Sequence, residues 1–230
     1  MSTTEIKKPA AILAIIIWLA APTIYLSVEW YVSRMFSPHY SYLHRFTSDL
    51  AIPYAYYDPK TGHLTNSWRA PMMNLNFAVH GFLFLAGQIS LLRATGERKL
   101  STARLVIAVV YCIGILLVAA VPGGPREHEN GRMMWHGLGA VCAIFGGNIN
   151  SLLAGFATPV DSKPVYKTVC LSLGAIGFCG PALVFAFGYR DLIGVWQRLS
   201  IYPTQMWEYS TAVSLVFELL RTEEAQVKRD

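Results

Sequence analysis

Six mostly apolar stretches alternate with polar links along the chain. They cover 10–31, 72–92, 105–121, 135–156, 168–187 and 204–220. A helix of about 20 apolar residues is long enough to cross the hydrocarbon core of a bilayer. The pattern therefore predicts an all-α integral membrane fold: a six-span transmembrane helix bundle that forms a single domain over 1–230. The segment 188–203 is predicted to be an amphipathic link that ends at Pro203.

The link over 121–136 is the most distinctive polar segment. Pro122 and Pro125 cannot continue a helix, and Gly123 and Gly124 loosen the backbone between them. Charged residues and His128 follow before the next apolar run begins near His136. The pattern predicts a tight connection between the third and fourth spans, with chemically active groups on one rim of the bundle.

The first link, over 33–71, is the longest polar segment. It is rich in tyrosine and is not of low complexity, so we expect it to fold back over the bundle. His39 and His44 have a spacing that suits a metal, but no helical frame between them is predicted. We therefore predict no metal site and no cofactor.

Basic residues indicate the orientation of the bundle, because short cytoplasmic links carry an excess of lysine and arginine. The terminal segments and the links after spans two and four contain Lys7, Lys8, Arg93, Arg98, Lys99, Arg104, Lys163, Lys167, Arg221, Lys228 and Arg229. The sequence predicts cytoplasmic termini. The long first loop and the 121–136 link are then on the outer or lumenal side.

Composition supports a membrane environment and argues against nucleic-acid binding. The chain is 53% hydrophobic and 14% charged, whereas soluble domains carry roughly 25% charged residues. The net charge of +5 comes from lysines and arginines between apolar segments, with no basic stripe. The predicted partners are the lipid bilayer and a lipid or hydrophobic metabolite. The four cysteines all lie in apolar runs and lack the spacing of a zinc or redox motif.

Two ionisable residues are predicted to lie within the membrane at similar depths. His80 is about eight residues into span two, roughly 12 Å below the outer rim at about 1.5 Å per residue, and Glu208 enters span six from the same rim. A charged group in hydrocarbon costs at least about 2.5–3.5 kcal/mol, so both should face the bundle interior, where their similar depth makes contact between them possible. The sequence leaves open whether such a contact only joins two helices or belongs to a functional pocket.

Short motifs in a consistent order carry a resemblance to a known family. They are Arg45-Phe-Thr-Ser-Asp-Leu-Ala, Asn76 to Gly81 with Gly87, Val121-Pro122, His136, Arg198 to Pro203, and Trp207-Glu208. The chain resembles a family of six-span membrane proteins of unknown function. It is more distantly similar to the Frag/DRAM/Sfk group, which has a Ser-Asp pair after span one and a histidine near the start of span four. Ala51 departs from the usual glycine, and the Pro-Gly-Gly-Pro insertion is unusual.

The resemblance implies an outer polar cluster but no reaction. If the motif order reflects one site, its members are Ser48, Asp49, Asn76, His80, His136, Arg198 and Glu208. Asp49, His80, His136 and Glu208 are the predicted catalytic groups, because carboxylates and imidazoles can exchange protons with a substrate. Ser48, Asn76 and Arg198 are the predicted substrate-binding residues.

Three functions remain open at this point. The leading prediction is a multi-pass protein of the plasma membrane or an endomembrane, whose outer pocket binds or acts on a lipid or hydrophobic small molecule. The first alternative is a membrane-bound enzyme, a cyclase or hydrolase of lipid or secondary metabolism. The second is a non-catalytic membrane sensor or partner subunit. The sequence predicts neither a substrate nor an oligomeric state.

Overall fold

The structure, a computed structural model, describes residues 6–58, 62–158, 163–187 and 192–227. Lys228 and Arg229, which contributed to the predicted topology, lie outside these ranges. Seven α-helices occur in the described residues. They are α1 (Lys8–Arg34), α2 (Ala70–Thr95), α3 (Ser101–Ala120), α4 (Pro125–Glu129), α5 (Met133–Ala157), α6 (Pro164–Phe187) and α7 (Ile193–Val227).

The six long helices pack as a closed ring in the order α1, α2, α3, α5, α6, α7, with α7 returning to α1. Neighbouring helices run in opposite directions. Lys7 N–H donates to the Ala94 carbonyl at 3.0 Å, which joins the start of α1 to the end of α2. At the far end of the chain, Lys8 Nζ lies 2.6 Å from Glu223 Oε1, near the end of α7. The described parts of both terminal segments therefore lie at one end of the ring.

The opposite end of the ring is covered by the first loop, and we call it the capped end. Three short strands, β1 (Phe36–Ser37), β2 (Tyr56–Tyr57) and β3 (Leu64–Ser67), form an antiparallel sheet with β3 in the middle. A 3₁₀ helix over Thr47–Ala51 packs against α1, α2 and α7. The loop thus folds back over the bundle as its composition predicted. The sheet is an addition to the predicted all-α fold.

The end opposite the loop carries the described basic residues of the terminal segments and of the links after α2 and α5, and we call it the basic end. The α2–α3 turn and the end of α5 meet there, because Lys99 Nζ donates to the Phe156 carbonyl at 3.1 Å. Lys8 and Lys163 also lie there, paired with Glu223 and Glu218 of α7. These lysines therefore lie at the end of the ring where the distribution of basic residues in the sequence predicted them.

Small residues bring α3 and α5 together. A Cβ atom added to Gly114 would lie 2.7 Å from the Ala143 backbone nitrogen, and one added to Gly139 would lie 2.7 Å from the Gly114 carbonyl oxygen. Both distances are shorter than real Cβ atoms tolerate. The two backbones touch only because these positions are glycine, as is common where membrane helices cross.

Five helices, α1, α2, α3, α5 and α6, are long and apolar enough to cross a membrane. This supports the predicted multi-pass membrane architecture. The sixth predicted span, 204–220, lies within α7, which is not among those five. The link predicted over 188–203 is wrong in its described part, because α7 already begins at Ile193 and continues through Pro203. Prolines inside membrane helices are tolerated when neighbouring groups satisfy the freed carbonyls, and α1 and α6 contain them too.

Candidate functional site

The contact between His80 and Glu208 that their similar depth allowed is present at the centre of the ring. His80 Nε2 lies 3.3 Å from Glu208 Oε2, and the two side chains are 1% and 0% exposed. Tyr111 Oη lies 2.8 Å from His80 Nδ1. If the tyrosine hydroxyl donates to Nδ1, the histidine proton is on Nε2 and is donated to the carboxylate. The three side chains therefore connect α2, α3 and α7 through one polar layer.

Glu208 also has a carboxylate oxygen with unused capacity. Its Oε1 atom is buried and has no hydrogen-bond partner within the described ranges. Buried polar atoms are nearly always paired, and an unpaired carboxylate oxygen is costly in an apolar interior. The layer therefore has one acceptor atom that a ligand or a proton could use. This observation alone does not distinguish a functional site from a helix contact.

Asn76 lies one helical turn before His80 and is 3% exposed. Its Nδ2 atom donates to the Tyr25 carbonyl at 3.1 Å, so the side chain connects α2 to α1. Its Oδ1 atom is buried without a partner in the described parts of the chain. Asn76 is thus partly committed to the fold, with one acceptor left over.

A narrow cavity of about 60 Å³ lies between the helices on the capped side of this layer. Tyr25 and Tyr111 lie along it, together with apolar side chains of α3 and α5. Ser48 and His136, two of the predicted site residues, also line the cavity. These two come from distant parts of the sequence, the 3₁₀ helix and the start of α5, and the fold brings them to one space.

His136 is held in a defined orientation. Its Nδ1 atom lies 2.6 Å from the Val121 carbonyl oxygen, and because a carbonyl only accepts, Nδ1 carries the proton. In the neutral ring Nε2 is then an acceptor. A Cβ atom added to Gly123 would lie 2.9 Å from Nε2, so the backbone of the link packs closely against the imidazole at a glycine. The arrangement presents a potential proton acceptor beside the cavity.

Asp49 has a local structural contact. Its Oδ2 atom accepts the Phe46 backbone N–H at 3.1 Å, which caps the first turn of the 3₁₀ helix. Ser48 precedes it on the same short helix and is 8% exposed. The two residues of the predicted Ser-Asp pair therefore have different contacts: Ser48 lines the cavity, and Asp49 caps the 3₁₀ helix.

Arg198 is paired with an acid that the sequence analysis did not single out. Its Nη2 atom lies 2.8 Å from Glu29 Oε1, and the two side chains are 8% and 1% exposed. Tyr202 Oη donates to the second carboxylate oxygen of Glu29 at 3.1 Å. Thr47 Oγ1 also approaches Glu29 at 3.3 Å. The pair joins α7 to α1 at the capped end.

The Arg198 guanidinium also anchors the first loop. Nη1 donates to the carbonyls of Tyr42 and Arg45 at 2.9 and 3.1 Å, and Nη2 donates to Tyr40 Oη at 2.7 Å. Burial raises the pKa of the Tyr40 phenol, which keeps it protonated. Nε donates to Tyr202 Oη at 3.1 Å. Every nitrogen of the guanidinium has an acceptor inside the protein.

The link between α3 and α5 is also fixed by polar contacts. Tyr54 Oη donates to Glu127 Oε2, and the Arg126 guanidinium lies 4.1 Å from the centre of the Tyr54 ring. Burial and the bond to Glu127 raise the pKa of Tyr54 to about 12. A Cβ atom added to Gly124 would lie 2.1 Å from Tyr54 Oη. The Pro-Gly-Gly-Pro segment therefore fits against the first loop.

The seven predicted site residues occupy neighbouring but different environments. Ser48 and His136 share the cavity, and His80 and Glu208 share the buried layer. Asn76 joins α2 to α1, and Arg198 and Asp49 hold the loop. Sequence reasoning missed Glu29 and Tyr111. A signal existed for Glu29, which is an acid inside an apolar span and therefore needs a partner. In the described residues no group of three or more histidine, cysteine, aspartate or glutamate side chains is placed to hold a metal ion.

Comparison with known proteins identifies a family. The model of the family described as "Protein of unknown function (DUF998)" matches residues 19–214. No curated protein and no solved structure matches the chain. The matched region covers most of the chain and includes all seven predicted site residues, so the chain belongs to the DUF998 family of proteins of unknown function.

Proposed function

We propose that the protein crosses the membrane six times, with α7 as the sixth span. Arg198 is at the capped end beside Glu29, and Glu223 is at the basic end beside Lys8. The 25 residue steps between Arg198 and Glu223 extend about 38 Å along a helix, more than the roughly 30 Å hydrocarbon core. The polar residues of α7 near its middle, Gln205 and Glu208, are buried inside the ring.

The proposed orientation places the basic end in the cytoplasm and the capped end outside or in a lumen. It follows from the excess of lysine and arginine in the short links at the basic end. Both termini are then cytoplasmic. The first loop, the 121–136 link and the cavity beside His136 all face the outer side.

The capped-end cavity is proposed to bind the apolar part of a lipid or hydrophobic small molecule. The observation that carries this proposal is its lining, which is mostly apolar with a few polar groups, Ser48, Gln197 and His136 among them. Ligand pockets commonly combine apolar walls with a small number of orienting polar groups. At about 60 Å³ the cavity is far smaller than the roughly 300–1,000 Å³ of pockets that enclose a whole drug-sized ligand. It would hold the end of an apolar chain.

A photocrosslinking experiment tests this binding. The purified protein in nanodiscs is exposed to phosphatidylcholine that carries a diazirine at the end of one acyl chain. We expect crosslinks in the segment 136–144, and we expect Ala143→Phe, which fills the cavity, to reduce them at least fivefold. Val141→Phe is the matched control, because Val141 is 53% exposed on the same helix. Equal labelling of both variants would rule out cavity binding.

A second candidate function, a membrane-bound cyclase or hydrolase, is favoured by the state of His136. Its protonated Nδ1 is held by Val121, which leaves Nε2 to accept a proton beside the cavity. Asp49, His80 and Glu208 are the other proposed acid–base groups. If the protein is an enzyme, His136→Ala and Asp49→Asn should change the lipid or metabolite profile of cells while protein level and membrane insertion stay normal. If the protein only binds the lipid, the chain-end crosslink should form, and the two substitutions should leave the lipid or metabolite profile unchanged.

A further inference from the structure

A second and larger cavity, of about 590 Å³, lies at the basic end of the ring. The α2–α3 turn, the end of α5, the start of α6 and the last part of α7 surround it. Its volume is within the roughly 300–1,000 Å³ range of sites that enclose a whole small ligand. It is at the opposite end of the bundle from the His136 cavity, so the proposed function makes no use of it.

The charged residues along this cavity are mainly cationic. They are Arg98, Lys99, Arg104 and Lys163, with Glu97 as the one carboxylate among the lining residues in the described ranges. Hydroxyl groups lie deeper, and Tyr166 Oη and Thr211 Oγ1 are 3.0 Å apart. Thr211 Oγ1 donates to the Trp207 carbonyl, so the hydroxyls are already paired and the cations remain as the donors for a ligand. Cationic side chains match the needs of a phosphate, which has several acceptor oxygens.

Two of the cations are fixed by neighbours. Arg104 pairs with Glu97 and also donates from Nε to Asn150 Oδ1 at 3.3 Å. Lys163 pairs with Glu218. Arg104 is 2% exposed and therefore forms a rigid base for the cavity. These two pairs fix the positions of Arg104 and Lys163, and the charges of Arg98 and Lys99 are left without an acidic partner among the described residues.

The other two cations retain free donors. Lys99 Nζ donates one bond to the Phe156 carbonyl, while an ammonium group has three N–H donors. The backbone carbonyl of Arg98 accepts from Ser101 Oγ at 3.1 Å, but its guanidinium forms neither a hydrogen bond nor an ion pair with any described residue. Burial raises the pKa of Glu97, and its Oε1 has no partner in the described structure. Its other oxygen is paired with Arg104, which offsets the charge of the one carboxylate among the described lining residues.

We infer that the basic-end cavity binds the phosphate group of an anionic ligand. Arg98 and Lys99 contact the phosphate at the edge of the cavity, and Arg104 supplies a fixed positive charge behind them. The phosphate has two possible sources, the headgroup of an anionic lipid in the adjacent leaflet or a soluble phosphate compound. Both would be recognised by the same side chains.

Ligand-dependent stability tests the inference with the full-length protein in neutral detergent micelles. Unfolding temperatures are measured with phosphatidic acid, with phosphatidylcholine, with sodium phosphate and with sodium chloride at matched ionic strength. A ligand that binds only the folded state raises the unfolding temperature with concentration, and the dependence yields a dissociation constant. We expect phosphatidic acid to stabilise the protein and phosphatidylcholine and chloride not to do so.

Variants then locate the effect. Arg98→Gln removes a cation whose side chain has no partner among the described residues, and Lys99→Gln keeps a donor for the Phe156 carbonyl. Each should weaken phosphatidic acid binding about fivefold, the effect of one basic side chain near an anionic surface. Arg93→Gln is the matched control, because Arg93 is an exposed cation in the last turn of α2 that does not line the cavity.

Each outcome has a defined meaning. Stabilisation by phosphatidic acid alone identifies a lipid headgroup as the source, and stabilisation by inorganic phosphate as well identifies a site open to soluble phosphate compounds. The inference is overturned if neither stabilises the protein, or if chloride at matched ionic strength is equally effective. It is also overturned if Arg93→Gln weakens binding as much as Arg98→Gln and Lys99→Gln do.

Discussion

Arg198 Nη2 lies 2.8 Å from Glu29 Oε1, and both side chains are buried at the capped end of the ring. The pair joins α7 to α1. Nη1 of the same guanidinium donates to the backbone carbonyls of Tyr42 and Arg45 in the first loop. A single side chain thereby fixes the ring and its cover together. The first loop depends on this pair for its position over the His136 cavity.

Removing Glu29 should strongly destabilise the protein. Glu29→Ala leaves the Arg198 charge buried without its acid, and breaking a buried pair in this way costs about 3–5 kcal/mol. A thermal unfolding curve in detergent measures the loss. The control is Glu223→Ala, which removes the exposed partner of Lys8 and should cost less than about 1 kcal/mol. Equal effects of the two substitutions would contradict the role assigned to the Glu29–Arg198 pair.

The His80–Glu208 contact should show coupling between its two members. Glu208→Leu alone leaves the His80 Nε2–H buried without an acceptor, which costs about 1–3 kcal/mol. The variants are all made in a Tyr111→Phe background, so that the loss of His80 leaves no unpaired phenol. In His80→Leu/Glu208→Leu both members of the contact are apolar, so this double variant should unfold at a higher temperature than Glu208→Leu. If the loss in the double variant equals the sum of the losses in His80→Leu and Glu208→Leu, the two side chains do not interact.

The same double variant separates a structural contact from a working site. If the layer takes part in the proposed chemistry, the double variant should insert and fold but fail to restore the lipid or metabolite profile of a deletion strain. A stable double variant that fully restores the profile would assign His80 and Glu208 to helix packing alone.

Gly124 should not tolerate a side chain. In Gly124→Ala the new Cβ would lie 2.1 Å from Tyr54 Oη, so the Tyr54–Glu127 contact must break or the link must shift. We expect a lower unfolding temperature and faster proteolysis of the 121–136 link. Gly137→Ala is the control, since a Cβ there meets no atom within 4 Å and alanine favours a helix by about 1 kcal/mol over glycine. Similar behaviour of the two variants would argue against the packing of the link on Tyr54.

Apolar length and turn residues were enough to predict most of the helices. Spans one, two, four and five each lie within a helix that extends a few residues beyond the prediction at one or both ends, and span three ends one residue beyond α3. The exception was Pro203, which was taken as a helix boundary because proline removes a backbone donor. In the ring its helix continues, and such a continuation depends on neighbouring helices that a local pattern does not reveal.

The site was less accessible to prediction because its contacts depend on the ring order. Depth below the rim indicated that His80 and Glu208 could meet, since depth can be counted along each span. It did not reveal Tyr111, which is an ordinary aromatic residue of an apolar span until α3 is placed beside α2. Arg198 was expected to bind a substrate, yet its bonds to Glu29 and the first loop are visible only once α7 lies beside α1.

Labelling of single cysteines tests the six-span ring most directly. In a protein whose native Cys112, Cys142, Cys170 and Cys179 are replaced by alanine, cysteine is introduced at Asn130, Lys99 or Glu224. A membrane-impermeant maleimide should label the Asn130→Cys protein in intact cells, and should label Lys99→Cys and Glu224→Cys only after the membrane is opened. Labelling of Glu224→Cys together with Asn130→Cys in intact cells would show that α7 does not cross the membrane, and would contradict the proposed architecture.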